Sequence, residues 1–289
     1  MKRIVYFIFF VSLTLCLCGC QNGAGAQNFA PQNPALPPTA SAGPSVSAPA
    51  GSVNPTPTPT PTPTVTVSPV KPPESTAQAT VTYAISTVNG LAVRQGASTS
   101  SPKMGVLNAG DGVAFLGEEN GFIKTVYKQQ TAYVWAGYCK QMHFARAEES
   151  VENVIGVGAT LLGYPYVWGS QRYHWGNGVK NTDFVAGEFD CSALMQYAFY
   201  HGNGALLSLT SRTQSTQGKG VARAQIQRGD LLFFTNASRK DKTGTERVGH
   251  VALYLGGNYI LHTASDYAVI EEISAQRWAY YVCARRISV

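Results

Sequence analysis

A proline-rich segment sets the first limit on how this chain can fold. Residues 21–80 contain all but two of the 16 prolines, including an unbroken alternation of proline and threonine at 55–64. Large apolar side chains are nearly absent there, so nothing offsets the entropy that ordering the segment would cost. Proline enrichment favours extended polyproline geometry. We therefore expect residues 20–80 to form a disordered, semi-rigid linker, which leaves the folded structure to the residues after it.

The first 20 residues have the organisation of a secretory signal. A basic start is followed by an apolar stretch at 4–17 and by Leu17-Cys18-Gly19-Cys20. The apolar stretch is shorter than the roughly 20 residues that a spanning helix needs. Its ending resembles the bacterial lipobox, which implies a lipoprotein signal peptide at 1–19 and lipidation of Cys20. An ordinary signal peptide is the alternative, and both interpretations place the protein outside the cytoplasm.

The charge of the chain indicates the surroundings in which it works. The net charge is +6 and the isoelectric point is near 9.0, which suits anionic surroundings such as wall polymers or lipid headgroups. No dense run of lysine and arginine occurs, so we do not expect nucleic acid as a partner. With a lipid anchor, the protein would be held on the extracytoplasmic side of a membrane, the outer membrane if the envelope is Gram-negative.

Three cysteines lie beyond the signal region: Cys139, Cys191 and Cys283. In an oxidising compartment, an odd number leaves one thiol free. If Cys139 and Cys283 pair, the free thiol is Cys191, but the sequence leaves that pairing open.

Short β-type runs separated by turn residues occupy residues 81–143. Strands this short and closely spaced favour a small barrel. The segment resembles a bacterial SH3-type domain in Leu91-x-Val93-Arg94-x-Gly96, Gly105-x-Leu107, Gly110-Asp111 and Tyr133-Val134. That resemblance implies a role in wall recognition or substrate positioning. The alternative for aromatic residues such as Trp135 is that they fill a small core.

Two helices are predicted after residue 150. The first spans 151–162, with Ser150 as its N-cap and Gly163 as its stop. The second begins at 190–192 and ends before Gly202. Cys191 therefore lies at a helix start, where the unpaired amides and the helix dipole favour a thiolate and can hold an oxyanion.

Two histidines lie on a predicted hairpin further along the chain. His250 belongs to a strand at 248–255, residues 256–258 form the turn, and His262 ends the partner strand. A three-residue loop would put both imidazoles on one face, about 7 to 8 Å apart, whereas a two-residue loop would put them on opposite faces. A shared face is what catalysis requires, because a general base must be oriented by a third polar group.

Taken together, these motifs resemble the NlpC family of papain-like cell-wall cysteine peptidases. The resemblance implies an α+β fold, with a small SH3-like β-barrel at 81–143 and a papain-like domain at 150–289 whose helices pack on an antiparallel sheet. The matching segments are Tyr166-Val167-Trp168-Gly169, Asp190-Cys191-Ser192, Thr210-Ser211-Arg212-Thr213, Gln217, Arg228-Gly229-Asp230-Leu231, Gly249-His250-Val251-Ala252-Leu253-Tyr254 and Ile260-Leu261-His262-Thr263-Ala264.

The resemblance also implies roles for individual residues. Cys191 would be the nucleophile, His250 its base and His262 the residue that orients His250. Tyr166 would lie beside the thiol and polarise the substrate carbonyl.

Three further residues would contact the substrate. Asp190 and Ser192 would bind the free amine end or the backbone of the peptide. Arg212 would meet a substrate carboxylate, or form a structural salt bridge. The chain departs from the family pattern at Ser170 and Ala193, where glycines are usual, and in the long segment 171–188.

The implied activity is that of a peptidoglycan hydrolase, a cysteine endopeptidase that cleaves stem peptides at the bond between γ-D-glutamate and a diamino acid. We expect a monomer that needs no cofactor. The alternatives are an amidase or acyltransferase using the same cysteine and histidine, or a catalytically silent wall-binding lipoprotein. A metal site built from Cys191, His250 and His262 would lack a convincing fourth ligand.

Overall fold

The computed structural model describes residues 79–263 and 266–288. The expected signal peptide, Cys20 and nearly all of the expected linker lie outside the described residues. Among the helices in the two described ranges, none has both the length and the apolar character needed to cross a membrane.

The first part of the described chain consists of short strands, as the sequence predicts. The first strand begins inside the expected linker, and the last runs two residues beyond 143. The strands are β1 (Thr80–Ser86), β2 (Leu91–Arg94), β3 (Lys103–Leu107), β4 (Gly112–Ala114), β5 (Glu118–Glu119), β6 (Phe122–Tyr127), β7 (Gln130–Trp135) and β8 (Cys139–Ala145).

The second part packs helices against further strands. All of its strand pairs are antiparallel, and β10 is completely buried. The predicted α+β class is confirmed. The elements are α1 (Glu149–Thr160), α2 (Cys191–Asn203), α3 (Ser211–Gln214), β9 (Lys219–Val221), β10 (Leu231–Phe234), β11 (His250–Gly256), β12 (Tyr259–Thr263), β13 (Ala268–Glu272), α4 (Ala275–Ala279) and β14 (Tyr281–Arg286).

The predicted barrel shares a sheet with the second part. Five of its strands form a sheet in the order β3-β2-β7-β6-β5, while β8, β1 and β4 begin a nine-stranded sheet that continues β13-β12-β11-β10-β14-β9. Ile270 pairs with Gly112 at the junction. The ring of Tyr127 packs onto Gly163, whose φ of +84° and lack of a Cβ suit this close contact. The two parts are therefore joined by both backbone pairing and side-chain packing.

Helix α1 begins two residues earlier than predicted, and its N-cap is Glu148 rather than Ser150. The carbonyl of Glu148 accepts hydrogen bonds from the amides of Val151 and Glu152, both at 3.0 Å. The carboxylate of Glu152 also reaches back to accept from the amide of Ala147 at 2.7 Å. These contacts close the first turn two residues before the position at which Ser150 was expected to cap it.

Helix α2 begins at Cys191 as predicted but runs past Gly202 to Asn203, and Gly204, where φ is +78°, is its C-cap. A Cβ at Gly202 would lie 2.4 Å from the Cα of Val154 on α1. Gly202 is therefore a contact point between two helices, rather than a helix stop.

Candidate active site

Cys191 is the first residue of α2 and is buried, with 8% of its surface exposed. Burial, followed by the nearby charge of Asp190, raises the pKa of its thiol to about 12, even though hydrogen bonds from the backbone amides of Val251 and Ser192 and the charge of Arg172 act in the opposite direction. The expected preference for a thiolate at the helix start is therefore outweighed by burial. The resting group is a neutral thiol that needs a base.

His250 and His262 lie on one face of the hairpin, with Nε2 of His250 2.9 Å from Nδ1 of His262. The connection between β11 and β12 is only two residues long, the length expected to separate the imidazoles. However, the pairing shifts between Tyr254 and Gly256, and one extra residue in a strand reverses the faces that follow it. The predicted shared face is confirmed, and the bulge explains why the loop prediction was wrong.

Glu271 extends this pair into a directed series of hydrogen bonds. Its Oε1 lies 2.9 Å from Nε2 of His262, and it also accepts from Arg277 at 2.8 Å. Burial alone would raise the pKa of Glu271, but the hydrogen bonds and charges of His262 and Arg277 lower it overall. An ionised carboxylate can only accept, so His262 donates through Nε2 and accepts through Nδ1.

The hydrogen bond to His262 also fixes the protonation of His250. Its Nε2 must donate to His262, which leaves Nδ1 as the basic nitrogen of a neutral ring. Burial, and then the charges of His262 and Arg277, hold the pKa of His250 well below 6.5. Burial likewise lowers the pKa of His262, despite the opposing effect of the hydrogen bond that it donates to Glu271. Both rings are therefore neutral near pH 7, and His250 is ready to accept a proton.

Tyr166 is held near the nucleophile by its backbone, which forms a parallel bridge with Phe189, two residues before Cys191. Burial, followed by the charges of Cys191 and Asp190, raises the pKa of the Tyr166 hydroxyl. The hydroxyl therefore remains protonated and can donate a hydrogen bond.

Asp190 and Ser192 belong to a buried polar network around the start of α2. The Asp190 carboxylate caps the helix by accepting from the amide of Ala193 at 2.8 Å, and it also accepts from the Ser192 hydroxyl at 2.9 Å. Arg172 donates to this carboxylate at 2.7 Å and to the Ser192 hydroxyl at 3.2 Å. The amine-binding role of Asp190 and Ser192 stays a prediction, and Arg172 already supplies a cation there.

Arg172 comes from the long segment 171–188 and was not identified from the sequence. It also donates to the carbonyls of Leu209 at 2.7 Å and Ser170 at 2.8 Å. Its side chain thus ties the inserted segment to α2 and to the loop before α3. The sequence signal for it was its position inside this segment, which is longer than is usual in the family.

Arg212 lies on α3, with its side chain partly exposed, and pairs with the exposed Glu246 at 3.4 Å. This is the salt-bridge alternative, while binding of a substrate carboxylate stays a prediction. Nearby, the buried Gln214 donates to the carbonyl of Ser192 at 3.0 Å and so supports the first turn of α2.

The two other cysteines among the described residues do not pair with each other. Cys139 and Cys283 are both free thiols, so the disulfide that the sequence left open is not formed. Within the described ranges, no group of three or more histidine, cysteine or acidic side chains is arranged to hold a metal ion.

The chain is similar to known proteins over both parts that the structure describes. Residues 163–286 match the model of the NlpC/P60 family, and residues 89–140 match that of the bacterial SH3 domain. The chain is 29% identical over 175 residues to a γ-D-glutamyl-L-lysine dipeptidyl-peptidase from Bacillus subtilis, covering 59% of this chain and 51% of that protein. It is 36% identical over 123 residues to the peptidoglycan endopeptidase RipB from Mycobacterium tuberculosis, covering 42% and 46%. The chain spans about half the length of these relatives.

Proposed function

Because this chain carries an NlpC/P60 family domain preceded by a bacterial SH3 domain, we propose that it is a cysteine-type endopeptidase that cleaves the stem peptides of peptidoglycan. The observation that carries the proposal is the hydrogen-bonded series from His250 through His262 to Glu271. The backbone amide of Val251, the residue after His250, donates a hydrogen bond to the Cys191 sulfur. The names of the relatives support a peptide substrate, with the bond between γ-D-glutamate and a diamino acid as the one cleaved.

Acylation begins from two uncharged groups. The Cys191 sulfur attacks the substrate carbonyl carbon while its proton passes to Nδ1 of His250. The amides at the start of α2 and the Tyr166 hydroxyl are available to donate to the oxyanion. The carbon–nitrogen bond then breaks, and His250 returns the proton to the leaving amine. The product of this step is a thioester on Cys191.

Deacylation repeats the proton transfers with water. His250 takes a proton from water as the water oxygen attacks the thioester carbon. The carbon–sulfur bond breaks, the acid product leaves, and the proton returns to the sulfur. His262 and Glu271 do not touch the reacting atoms in this scheme, and they act as positioning residues that stabilise the imidazolium formed on His250.

We also propose that the enzyme acts outside the cytoplasm as a lipid-anchored monomer. Residues 1–19 would be the signal peptide, Cys20 the lipidated residue and 20–80 the linker that holds the folded part away from the membrane. Cys20→Ala is expected to move the protein from the membrane fraction to the soluble fraction, while Cys139→Ala leaves it in the membrane fraction. Membrane retention of Cys20→Ala would contradict the lipid anchor.

Digestion of purified peptidoglycan by the detergent-solubilised full chain tests the activity. Mass spectrometry should show fragments cut within the stem peptide, and Cys191→Ala should produce none. Cys283→Ala, which removes a free thiol outside the site, should retain activity. Release of sugar from peptide would point to an amidase, and unchanged wall that still binds the protein would point to a binding module.

A further inference from the structure

A cleft of about 510 Å³ opens beside His250 and Tyr166. Its wall includes Phe234, Arg277 and two threonines. None of Arg172, Asp190 or Ser192, the described residues around the start of α2, lines it. The polar network that caps the nucleophile helix is therefore not part of the wall of this cleft.

Arg277 brings a cation to this cleft. In the part of the chain that the structure describes, its guanidinium donates one hydrogen bond, to Glu271 at 2.8 Å. A guanidinium has five donors in a planar fork, so most of them are available to a second acceptor. The side chain is 26% exposed, and the guanidinium carbon lies 5.9 Å from the centre of the Phe234 ring. Arg277 thus has a fixed position in the wall of the cleft and remains accessible to a ligand.

Two buried hydroxyls in the same wall have no partner. Thr235 and Thr263 both line the cleft, and neither Oγ1 has a hydrogen-bond partner among the described residues. Buried polar groups are normally paired, so unpaired ones indicate a site where a ligand or a bound water satisfies them. These two residues are an observation independent of Arg277.

The chemistry of the proposed reaction determines which part of the substrate enters this cleft. His250 returns its proton to the leaving amine, so the residue carrying that amine must lie next to His250. We propose that the cleft is the subsite for this leaving residue and that Arg277 binds one of its carboxylates. This inference rests on the proposed function. The carboxylate is either the α-carboxylate of a diamino acid that ends the stem peptide or a second carboxylate on its side chain.

Three synthetic peptides that share L-alanyl-γ-D-glutamyl test the subsite with the full chain. They end in lysine, in lysine amide, and in a diamino dicarboxylic acid whose α-carboxyl is amidated. We expect amidation of the lysine peptide to lower kcat/KM by about 10-fold or more, mainly through KM, as losing a charge-assisted hydrogen bond implies. If the third peptide restores kcat/KM to the value of the lysine acid, the side-chain carboxylate is identified as a group that the subsite binds.

Arg277→Gln should bring the ratio of kcat/KM for the lysine acid and amide close to one. Arg247→Gln, at an exposed arginine outside the cleft, should retain the wild-type ratio. A ratio of two substrates measured on one preparation cancels any loss of folded enzyme. Equal cleavage of all three peptides by the wild type, or an unchanged ratio in Arg277→Gln, would overturn the subsite while leaving the peptidase activity intact.

A binding measurement separates failure of the subsite from failure of the proposed function. Isothermal titration of lysine and of lysine amide into Cys191→Ala needs no turnover, and the acid should bind more tightly. In the double variant with Arg277→Gln, this preference should disappear. If no peptide is cleaved but the preference is seen, the proposed activity fails and the carboxylate site stands. If peptides are cleaved but acid and amide bind and react equally, the site fails.

Discussion

Replacing Glu271 with glutamine tests whether the third hydrogen bond of the series contributes to catalysis. Glutamine keeps the shape of the side chain but removes the charge that faces the imidazolium formed on His250. The contacts through His262 place the carboxylate roughly 8 Å from the His250 ring, where an effective dielectric constant of about 20 gives about 2 kcal/mol of attraction. Since about 1.4 kcal/mol corresponds to a tenfold change in rate, we expect kcat to fall about 30-fold.

The loss should appear in kcat, with KM nearly unchanged, because Glu271 stabilises a charge that exists only during the reaction. Steady-state hydrolysis of the lysine-terminated peptide measures both constants. Glu272→Gln is the matched control, because its carboxylate accepts from Asn258 at 3.1 Å and belongs to an exposed residue. If Glu271→Gln keeps kcat within about twofold of the wild type, or if Glu272→Gln loses as much, the electrostatic role assigned from the hydrogen-bond direction is refuted.

Three further predictions concern stability. Gly202→Ala should lower the free energy of unfolding by about 1–3 kcal/mol, because its Cβ would meet the backbone of Val154. At Gly156, by contrast, a Cβ meets nothing within 4 Å, so Gly156→Ala should raise the melting temperature measured by calorimetry. Arg172→Met should cost about 3 kcal/mol in urea unfolding because it leaves the buried Asp190 carboxylate without its cation; a change below about 0.5 kcal/mol would contradict that. The pKa values of the two site histidines are lowered from 6.5 by burial, so the unfolded chain binds more protons than the native chain, and stability should be full above pH 6.5 and fall as the pH decreases below it. A stability that is flat between pH 7 and pH 5 would contradict this assignment.

The sequence predicted those parts of the site that depend on local pattern. Asp190 before Cys191 signals a helix start, and the hairpin places His250 and His262 close together. The bulge that sets their register has no comparable sequence signal, because glycines around a turn fit several loop lengths.

The residues that the sequence did not identify act through distant contacts. Glu271 and Arg277 come from the strand and the helix that follow the hairpin: Glu271 contacts His262, and Arg277 contacts Glu271. Arg172 reaches α2 from the inserted segment. The pKa of Cys191 was also missed, because the helix start is visible in the sequence but the burial that outweighs it is created by tertiary packing.

The pairing of Ile270 with Gly112 has a consequence for how the molecule unfolds. A continuous sheet couples the barrel strands to the peptidase strands, so heating should melt both in one cooperative transition. Cutting the chain before α1 would remove β4 and leave β13 as an open edge, and such edges invite strands from other molecules. We therefore expect the peptidase part to aggregate when it is produced without the barrel strands.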